Sequence, residues 1–330
     1  MSGRLTIVMY HYVRDFRTTR YPRIKGLDVA DFTAQVDYLA RYYVFVTAQQ
    51  CWNALDGIHP LPDNAVLLTF DDGYADHYEF VFPILKSRGI QGLFFAPARP
   101  ITEKVVLDVN KIHYILACTP DHPKLLKSLM DLIKRDKGRF GLKEPEEFAA
   151  SVDCSSRYDT PEVILIKRLL QWKLPLDART ALTDELFCEI VTPDERRFAG
   201  ELYLNLDQMR LMASQGMDFG HHGFSHQWLT SLSPSERELE LEKGLELLAS
   251  TGLRTDRWTL SYPYGAYDNA LIEMAISRGC VMAVTTVPDI AQLEPSQRLT
   301  LARLDTNDLP RIADAPPNEW TRKVIPETRQ

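Results

Sequence analysis

The alternation of short apolar runs with helical patterns constrains the fold of this 330-residue chain more than any other feature. Each apolar run is long enough for one strand, and several runs are separated by stretches whose apolar residues recur at helical spacing. This alternation predicts an α/β fold with a parallel sheet covered by helices, either open or closed into a barrel. The predicted strands are residues 5–9, 43–46, 66–70, 92–96, 217–219, 258–262 and 282–286.

The segment between about residues 100 and 200 interrupts this alternation. It is rich in Leu, Lys, Asp and Glu, and its apolar residues recur at helical spacing. We expect a mostly helical insertion between two strands, serving either as a structural embellishment or as a lid or partner surface. Residues 309–330 contain several prolines and predict a loosely ordered tail. The main domain is therefore predicted to span residues 1–308, interrupted by the insertion.

The composition is that of a soluble globular protein, with 45% hydrophobic and 25% charged residues. A formal net charge of −7 argues against a nucleic-acid partner, because no broad basic surface is expected. No apolar run approaches the roughly 18 residues of a membrane span, so no integral membrane segment is predicted. The five cysteines are scattered and lack CxxC spacing, which is typical of free thiols in a reducing compartment. These features predict a cytoplasmic protein and leave its oligomeric state open.

Two adjacent aspartates, Asp71 and Asp72, follow the apolar run at residues 66–70. Side chains alternate along a strand, so the two carboxylates point in different directions, and one can bind a cation while the other handles protons. Far downstream, His222 and His226 stand four residues apart in a glycine-containing stretch. Two imidazoles and one carboxylate form a facial set of metal ligands, which leaves the other carboxylate available as a base. The combination predicts a metal-dependent hydrolase, although either motif alone also fits a turn or an exposed helix.

The candidate residues follow different predicted strands. His11 comes after the strand at residues 5–9, the aspartates after a second strand, and the histidine pair after a third. In parallel α/β folds the chemistry sits at the carboxyl ends of the strands. We therefore expect all of these side chains to gather at one rim of the sheet.

Three motifs resemble, in order and coarse spacing, those of the polysaccharide deacetylases, also called the NodB-homology or carbohydrate esterase family 4 enzymes. They are residues 69–74 (Thr-Phe-Asp-Asp-Gly-Tyr), 222–226 (His-Gly-Phe-Ser-His) and 261–265 (Ser-Tyr-Pro-Tyr-Gly). The resemblance covers approximately residues 1–100 and 200–308. It implies a distorted (β/α)7 barrel, a divalent metal, most commonly Zn²⁺, and a saccharide substrate.

The resemblance also implies roles for the chemically reactive residues of the first two motifs. Asp72 would bind the metal together with His222 and His226. Asp71 would be the general base that takes a proton from water. Apart from the resemblance, the position of the Tyr74 ring near the rim predicts that it stacks on a sugar face.

In the third motif, the resemblance implies that Pro263 and Tyr264 lie against the substrate and that the backbone N–H of Tyr264 donates to the oxyanion. Two features depart from the family pattern. The Arg that usually opens this motif is Ser261 here, and Arg303 is our candidate for its replacement. The late Leu-x-His motif that supplies the general acid is absent, so His11 becomes the candidate acid, with a buried hydrogen-bonding histidine as the alternative reading.

The motifs together predict hydrolysis of an N-acetyl group on an amino sugar in a saccharide or glycoconjugate, such as a precursor of a bacterial surface polysaccharide. Two alternatives remain open at this stage. One is a cytosolic hydrolase of a non-peptide C–N bond in a small metabolite such as a ureide. The other is a carbohydrate-binding relative that has lost activity.

Overall fold

The computed structural model describes residues 3–155 and 159–325. These residues form two compact units. The described residues of the first, here called the barrel unit, are 3–15, 26–104 and 200–325. Those of the second, here called the helical unit, are 16–25, 105–155 and 159–199.

Every strand among the described residues belongs to the barrel unit. Three of the six strands with four or more residues are buried along their whole length, as expected for parallel strands that are covered on both faces. The strands are β1 (Gly3–Tyr10), β2 (Val13–Arg14), β3 (Leu27–Asp28), β4 (Val44–Phe45), β5 (Ala65–Asp71), β6 (Gly92–Ala96), β7 (Asp218–His221), β8 (Trp258–Ser261), β9 (Cys280–Val284), β10 (Ala291–Leu293) and β11 (Leu304–Asp305).

The main sheet closes on itself. Parallel pairing runs in the order β1, β5, β6, β7, β8, β9. The amide of Leu301 then donates to Ala283 of β9 at 3.0 Å, and β11 pairs in parallel with β1. The segment 301–305 is thus the seventh member of the ring, which confirms the predicted distorted (β/α)7 barrel.

The predicted strand at residues 43–46 is not part of this ring. It forms the short strand β4, which pairs only with the start of β5. Its place is taken by segment 301–305, which the apolar pattern did not reveal because a buried arginine, Arg303, interrupts it. Strand β10 adds an antiparallel pair to the start of β1.

The helices begin and end largely where their capping residues dictate. Asp28, Thr47, Asn205, Ser233 and Asp268 each accept a backbone N–H in the first turn of a helix. The helices are α1 (Val29–Tyr42), α2 (Ala48–Leu55), α3 (Phe82–Ser87), α4 (Ala98–Glu103), α5 (Asp108–Cys118), α6 (His122–Phe140), α7 (Pro145–Ala150), α8 (Pro161–Arg168), α9 (Leu176–Ile190), α10 (Glu195–Leu202), α11 (Leu206–Ser214), α12 (Pro234–Ser250), α13 (Asn269–Ser277) and α14 (Glu319–Arg322).

The helical unit contains α5 to α9 and corresponds to the insertion that the sequence predicts at about residues 100–200. Its helices bury aliphatic side chains against one another, among them Ile112, Leu129, Ile133 and Leu182. Among the residues that the structure describes, no helix combines the length and the apolar character needed to cross a membrane.

The C-terminal segment packs against α1 instead of forming the loose tail expected for residues 309–330. The hydroxyl groups of Tyr38 and Tyr43 lie 2.8 and 3.0 Å from the Oγ1 atom of Thr321. Val324 and Ile325 are buried in the barrel core. The segment is therefore packed despite its prolines, and residues 326–330 lie outside the described part of the chain.

Replacing Thr321 with Val should lower the free energy of unfolding by about 1–3 kcal/mol, because two buried tyrosine hydroxyls lose their shared partner. Denaturant unfolding measures this change. Thr286→Val is a matched control at an exposed position and should change stability by less than about 0.5 kcal/mol. Equal stabilities for the two variants would show that the C-terminal contact contributes little.

Candidate active site

The closed barrel brings the carboxyl ends of its strands to one rim, as the sequence predicts. Asp71 is the last residue of β5 and pairs in register with Phe95 of β6. His221 ends β7, which places His222 in the loop that follows. Ser261 ends β8, and the ring segment 301–305 carries Arg303.

Three side chains at this rim form a buried set of potential metal ligands: Asp72, His222 and His226. The Oδ1 atom of Asp72 lies 3.4 Å from Nε2 of His222 and 3.2 Å from Nε2 of His226. Ligand atoms about 2.0–2.1 Å from a tetrahedral zinc ion are separated by roughly 3.3 Å. The spacing of these three atoms therefore fits a shared divalent cation.

The hydrogen bonds around the triad support the same reading. Nδ1 of His222 donates to the carbonyl oxygen of Ser261 at 2.8 Å, so Nε2 is the ring nitrogen that faces Asp72. Oδ1 of Asp72 is buried and accepts no hydrogen bond from the described residues. Burial raises the pKa of Asp72, but its contacts with His222 and His226 outweigh that effect and hold the pKa well below its ordinary value. Converging lone pairs on a buried carboxylate and two imidazoles suit a cation such as Zn²⁺.

The turn after β5 holds Asp72 in the left-handed region, with φ of 73°, and Gly73 follows with φ of 63°. A Cβ atom on Gly73 would stand 2.8 Å from the Cβ atom of Ala96, so only glycine fits at this position. The local sequence Asp-Asp-Gly thus creates a tight turn that separates the two carboxylates.

Tyr74 orients Asp72 and does not face a sugar. Its hydroxyl donates to Oδ2 of Asp72 at 2.6 Å, and its ring stacks on Tyr12 with the centroids 4.0 Å apart. The side chain is fully buried, which leaves no face for stacking on a substrate. The predicted substrate contact of Tyr74 is therefore wrong, because neighbouring aromatic rings bury it.

Asp71 is held by an arginine from the opposite end of the chain. Nη1 and Nη2 of Arg303 donate to its two carboxylate oxygens at 2.9 and 2.8 Å, and Oγ of Ser261 donates at 3.2 Å. Burial raises the pKa of Asp71, but Arg303 outweighs that effect and lowers the pKa to about 2. The pKa of Asp71 is lower in the folded protein than in the unfolded chain, so its pair with Arg303 stabilises the fold fully when the pH is above the unfolded pKa. This stabilisation is lost as the pH falls toward 2.

Arg303 thus takes the place that the sequence assigned to it in the absence of a third-motif arginine. Its Nε atom donates to the carbonyl oxygen of Thr285 at 2.8 Å, and Nη2 donates to Oγ of Ser261 at 3.1 Å. Only 1% of its surface is exposed. The small side chain of Ser261 leaves room for this guanidinium.

His11 follows β1, next to the strand that carries the aspartates. The residue is half-buried, and a positive charge on its ring would lower the pKa of both Asp71 and Asp72. The buried ring of His77 donates from Nε2 to the carbonyl oxygen of His11 at 2.8 Å. Burial lowers the pKa of His77 to about 4. A neutral histidine therefore fixes the backbone that carries His11.

Comparison with known proteins decides the family. The family model described as polysaccharide deacetylase matches residues 59–135 and 196–283, together half of the chain. The chain belongs to the polysaccharide deacetylase family. The resemblance of its three motifs is thereby confirmed.

A curated relative and several solved structures are similar to this chain. YxkH of Bacillus subtilis (strain 168), named as a polysaccharide deacetylase, is 29% identical over 103 residues, which make 31% of this chain and 35% of the relative. The alignment thus spans about a third of that protein. The Streptococcus pyogenes deacetylase PplD in complex with acetate is 16% identical with a TM-score of 0.57, and the match covers 99% of this chain and 100% of PplD. IcaB from Ammonifex degensii is 19% identical with a TM-score of 0.52, over 98% of this chain and 96% of IcaB. At these identities, the two solved structures show a shared fold.

An aromatic wall made of Tyr264 and Trp228 lies beside the candidate metal-ligand triad. The two rings stack with centroids 4.7 Å apart and planes 7° apart, and the Tyr264 ring packs edge-on against His226 at 4.8 Å. Tyr264 is half-buried and has a φ of 58°. Pro263 is buried, which leaves it no exposed face for the substrate contact predicted from the sequence.

Sequence reasoning missed three residues around the site: Trp228, Glu240 and Gly244. Trp228 could have been noticed as an aromatic residue two positions after the second histidine. Glu240 binds the loop between His222 and His226 from a distant helix. Gly244 makes room for the ring of His221, whose Nε2 atom would stand 2.0 Å from any Cβ atom at that position. No local pattern signals the last two, because their partners are remote in sequence.

Replacing Arg303 with Met should lower the free energy of unfolding by about 3–5 kcal/mol, because the carboxylate of Asp71 would remain buried without its cation. Removing both charges, in the double variant Asp71→Asn/Arg303→Met, should restore part of that loss. Urea unfolding at neutral pH measures both variants.

Arg311→Met is a control for the removal of one arginine, since Arg311 interacts at the surface, through an exposed pair with Asp31 and a hydrogen bond to the exposed Asn307. It should reduce stability by less than about 1 kcal/mol. If Arg303→Met were no more destabilising than this control, the buried pair would not have the structural importance that its geometry indicates.

Proposed function

We propose that this chain is a metal-dependent hydrolase that removes an N-acetyl group from an amino sugar in a saccharide or glycoconjugate. One observation carries the proposal. The buried triad of Asp72, His222 and His226 lies directly beside Asp71, a carboxylate that Arg303 keeps ionised and oriented. A ligand set and a separate proton acceptor at one rim are what hydrolysis of an unreactive amide requires.

Zn²⁺ or a similar cation held by Asp72, His222 and His226 would polarise the acyl carbonyl and make water more acidic. Asp71 receives the proton of the attacking water on the carboxylate that Arg303 holds in place. His11 gives a proton to the amine nitrogen as the C–N bond breaks, so that acetate and the free amino sugar are the products. The backbone N–H of Tyr264 is proposed to donate to the oxygen that gains charge.

The surroundings of the site support a sugar as the substrate. The Trp228–Tyr264 wall presents an aromatic surface next to His226, and sugars commonly pack their apolar faces on such rings. The Streptococcus pyogenes protein with the same fold is a deacetylase in complex with acetate, the acid that the proposed reaction would release. We extend the substrate class to N-acetylated saccharides that serve as precursors of bacterial surface polysaccharides.

Replacing Asp71 with Asn should reduce acetate release from N-acetylated oligosaccharides by about 10²–10⁴-fold, because no carboxylate remains to accept the proton. Metal analysis of the same variant should still find about one zinc-like ion per chain, as in the wild type. Asp63→Asn removes the same charge at an exposed position before β5 and should leave both measurements unchanged. Full activity in Asp71→Asn would remove the base assignment, and a wild-type protein that cannot bind a divalent metal would overturn the proposed function.

Replacing His11 with Ala should lower the rate of amide hydrolysis by about 10²–10⁴-fold, since the departing amine would lack its proton donor. An activated aryl acetate has a leaving group that needs no proton, so the same variant should hydrolyse that ester with a much smaller loss. His59→Ala, at an exposed position, is the control. An equal loss on the amide and the ester would argue against His11 as the general acid.

A further inference from the structure

The loop between His222 and His226 is not helical, although the two residues are four apart. Its backbone N–H groups therefore need partners from outside the loop. The amide of Gly223 donates to Nδ1 of His221 at 3.0 Å, and the amide of Phe224 donates to Glu240 of α12 at 2.7 Å. The shape of the loop is thus set by groups that do not themselves bind the metal.

Glu240 is the main external partner of this loop. Its Oε2 atom accepts the amide of Phe224 and, at 3.0 Å, the amide of Ser225. Its Oε1 atom lies 3.2 Å from the amide nitrogen of Ser225 and accepts the hydroxyl of the same residue. One carboxylate therefore binds three donors on two consecutive residues, directly before His226.

Because Glu240 is buried, its hydrogen bonds to the loop matter for the stability of its carboxylate. Only 5% of the residue is exposed, and among residues 3–155 and 159–325 it forms an ion pair with no cationic side chain. A buried carboxylate without a cation is costly unless hydrogen bonds to its charged form compensate. Here the compensation comes from the ligand loop alone, and charge-assisted bonds of this kind are roughly twice as strong as neutral ones.

The loop is also held from its other side. The amides of Ala98 and Arg99 donate to the carbonyl oxygens of Gly223 and Phe224 at 3.1 and 2.9 Å. The loop backbone is therefore clamped between the start of α4 and the carboxylate on α12. His226 leaves this clamp in the left-handed region, with φ of 55°, a conformation that requires support from its surroundings.

We propose that Glu240 is a positioning residue that sets the metal affinity of the site by holding the 222–226 loop in its ligating shape before the cation binds. This inference rests on the proposed function, because it assumes that Asp72, His222 and His226 are metal ligands. Residues that orient metal ligands typically contribute 10–100-fold to metal affinity.

The test compares Glu240→Gln with Glu242→Gln, which removes the same charge from an exposed position of the same helix. Zinc affinity is measured by competition with a chelator, and the thermal stability of each metal-free protein is measured in parallel. Glu240→Gln should weaken zinc binding by about 10–100-fold, because a glutamine amide cannot accept on both of its terminal atoms. Glu242→Gln should bind zinc as the wild type does. The Co²⁺-loaded Glu240→Gln protein should also show an altered visible spectrum, a readout that a role in folding alone would not change.

Ser225→Ala is a milder variant for the case in which Glu240→Gln does not fold, since it removes one donor and leaves the carboxylate in place. It should weaken zinc binding to a smaller extent. Wild-type zinc affinity in Glu240→Gln, with or without a loss of thermal stability, would overturn this inference while leaving the proposed function intact. A wild-type chain that binds no zinc would overturn both.

Discussion

The barrel and its site depend on one buried cation, the guanidinium of Arg303. It lies on the segment that completes the ring of strands, and it donates to groups at the ends of three others. Its partners are Asp71 and Thr69 on β5, Ser261 on β8 and the carbonyl of Thr285 after β9. A buried arginine is tolerated only when its donors are satisfied, so the closure of the barrel and the orientation of Asp71 are linked.

The predictions from the sequence were most accurate for residues that interact with sequence neighbours or that directly follow a strand. The strand pattern placed Asp71, Asp72 and His222 at one rim, and parallel strands leave few other arrangements. The absence of the third-motif arginine pointed to Arg303, because a buried carboxylate needs a replacement cation. Residues whose partners are remote in sequence were not predictable in this way. Glu240 binds backbone amides 15 and 16 positions away, a contact that no side-chain pattern reveals.

The errors have a common physical cause, which is burial that only tertiary packing determines. The sequence predicts that Tyr74 lies at the rim. In the structure its ring is covered by stacking on Tyr12, and its hydroxyl points toward Asp72. The proline-containing segment after Leu309 has the composition of a loose tail, yet Thr321 binds the hydroxyls of two tyrosines, one on α1 and one directly after it. In both cases the burial of the residues is determined by contacts with segments remote in sequence, which local composition does not reveal.

The pairing of Asp71 with Arg303 involves a compromise between orientation and basicity. A carboxylate whose pKa is held near 2 is a weak proton acceptor, and general-base catalysis is most effective when the pKa lies near the working pH. The bidentate contact nevertheless keeps Asp71 ionised and fixes the direction of its lone pairs, which a freely rotating carboxylate would lack. A weak but well-placed base is sufficient only if the attacking water is itself unusually acidic. The base role proposed for Asp71 is therefore consistent with an acidifying group beside it, and the adjacent Asp72, His222 and His226 are the residues that could hold one.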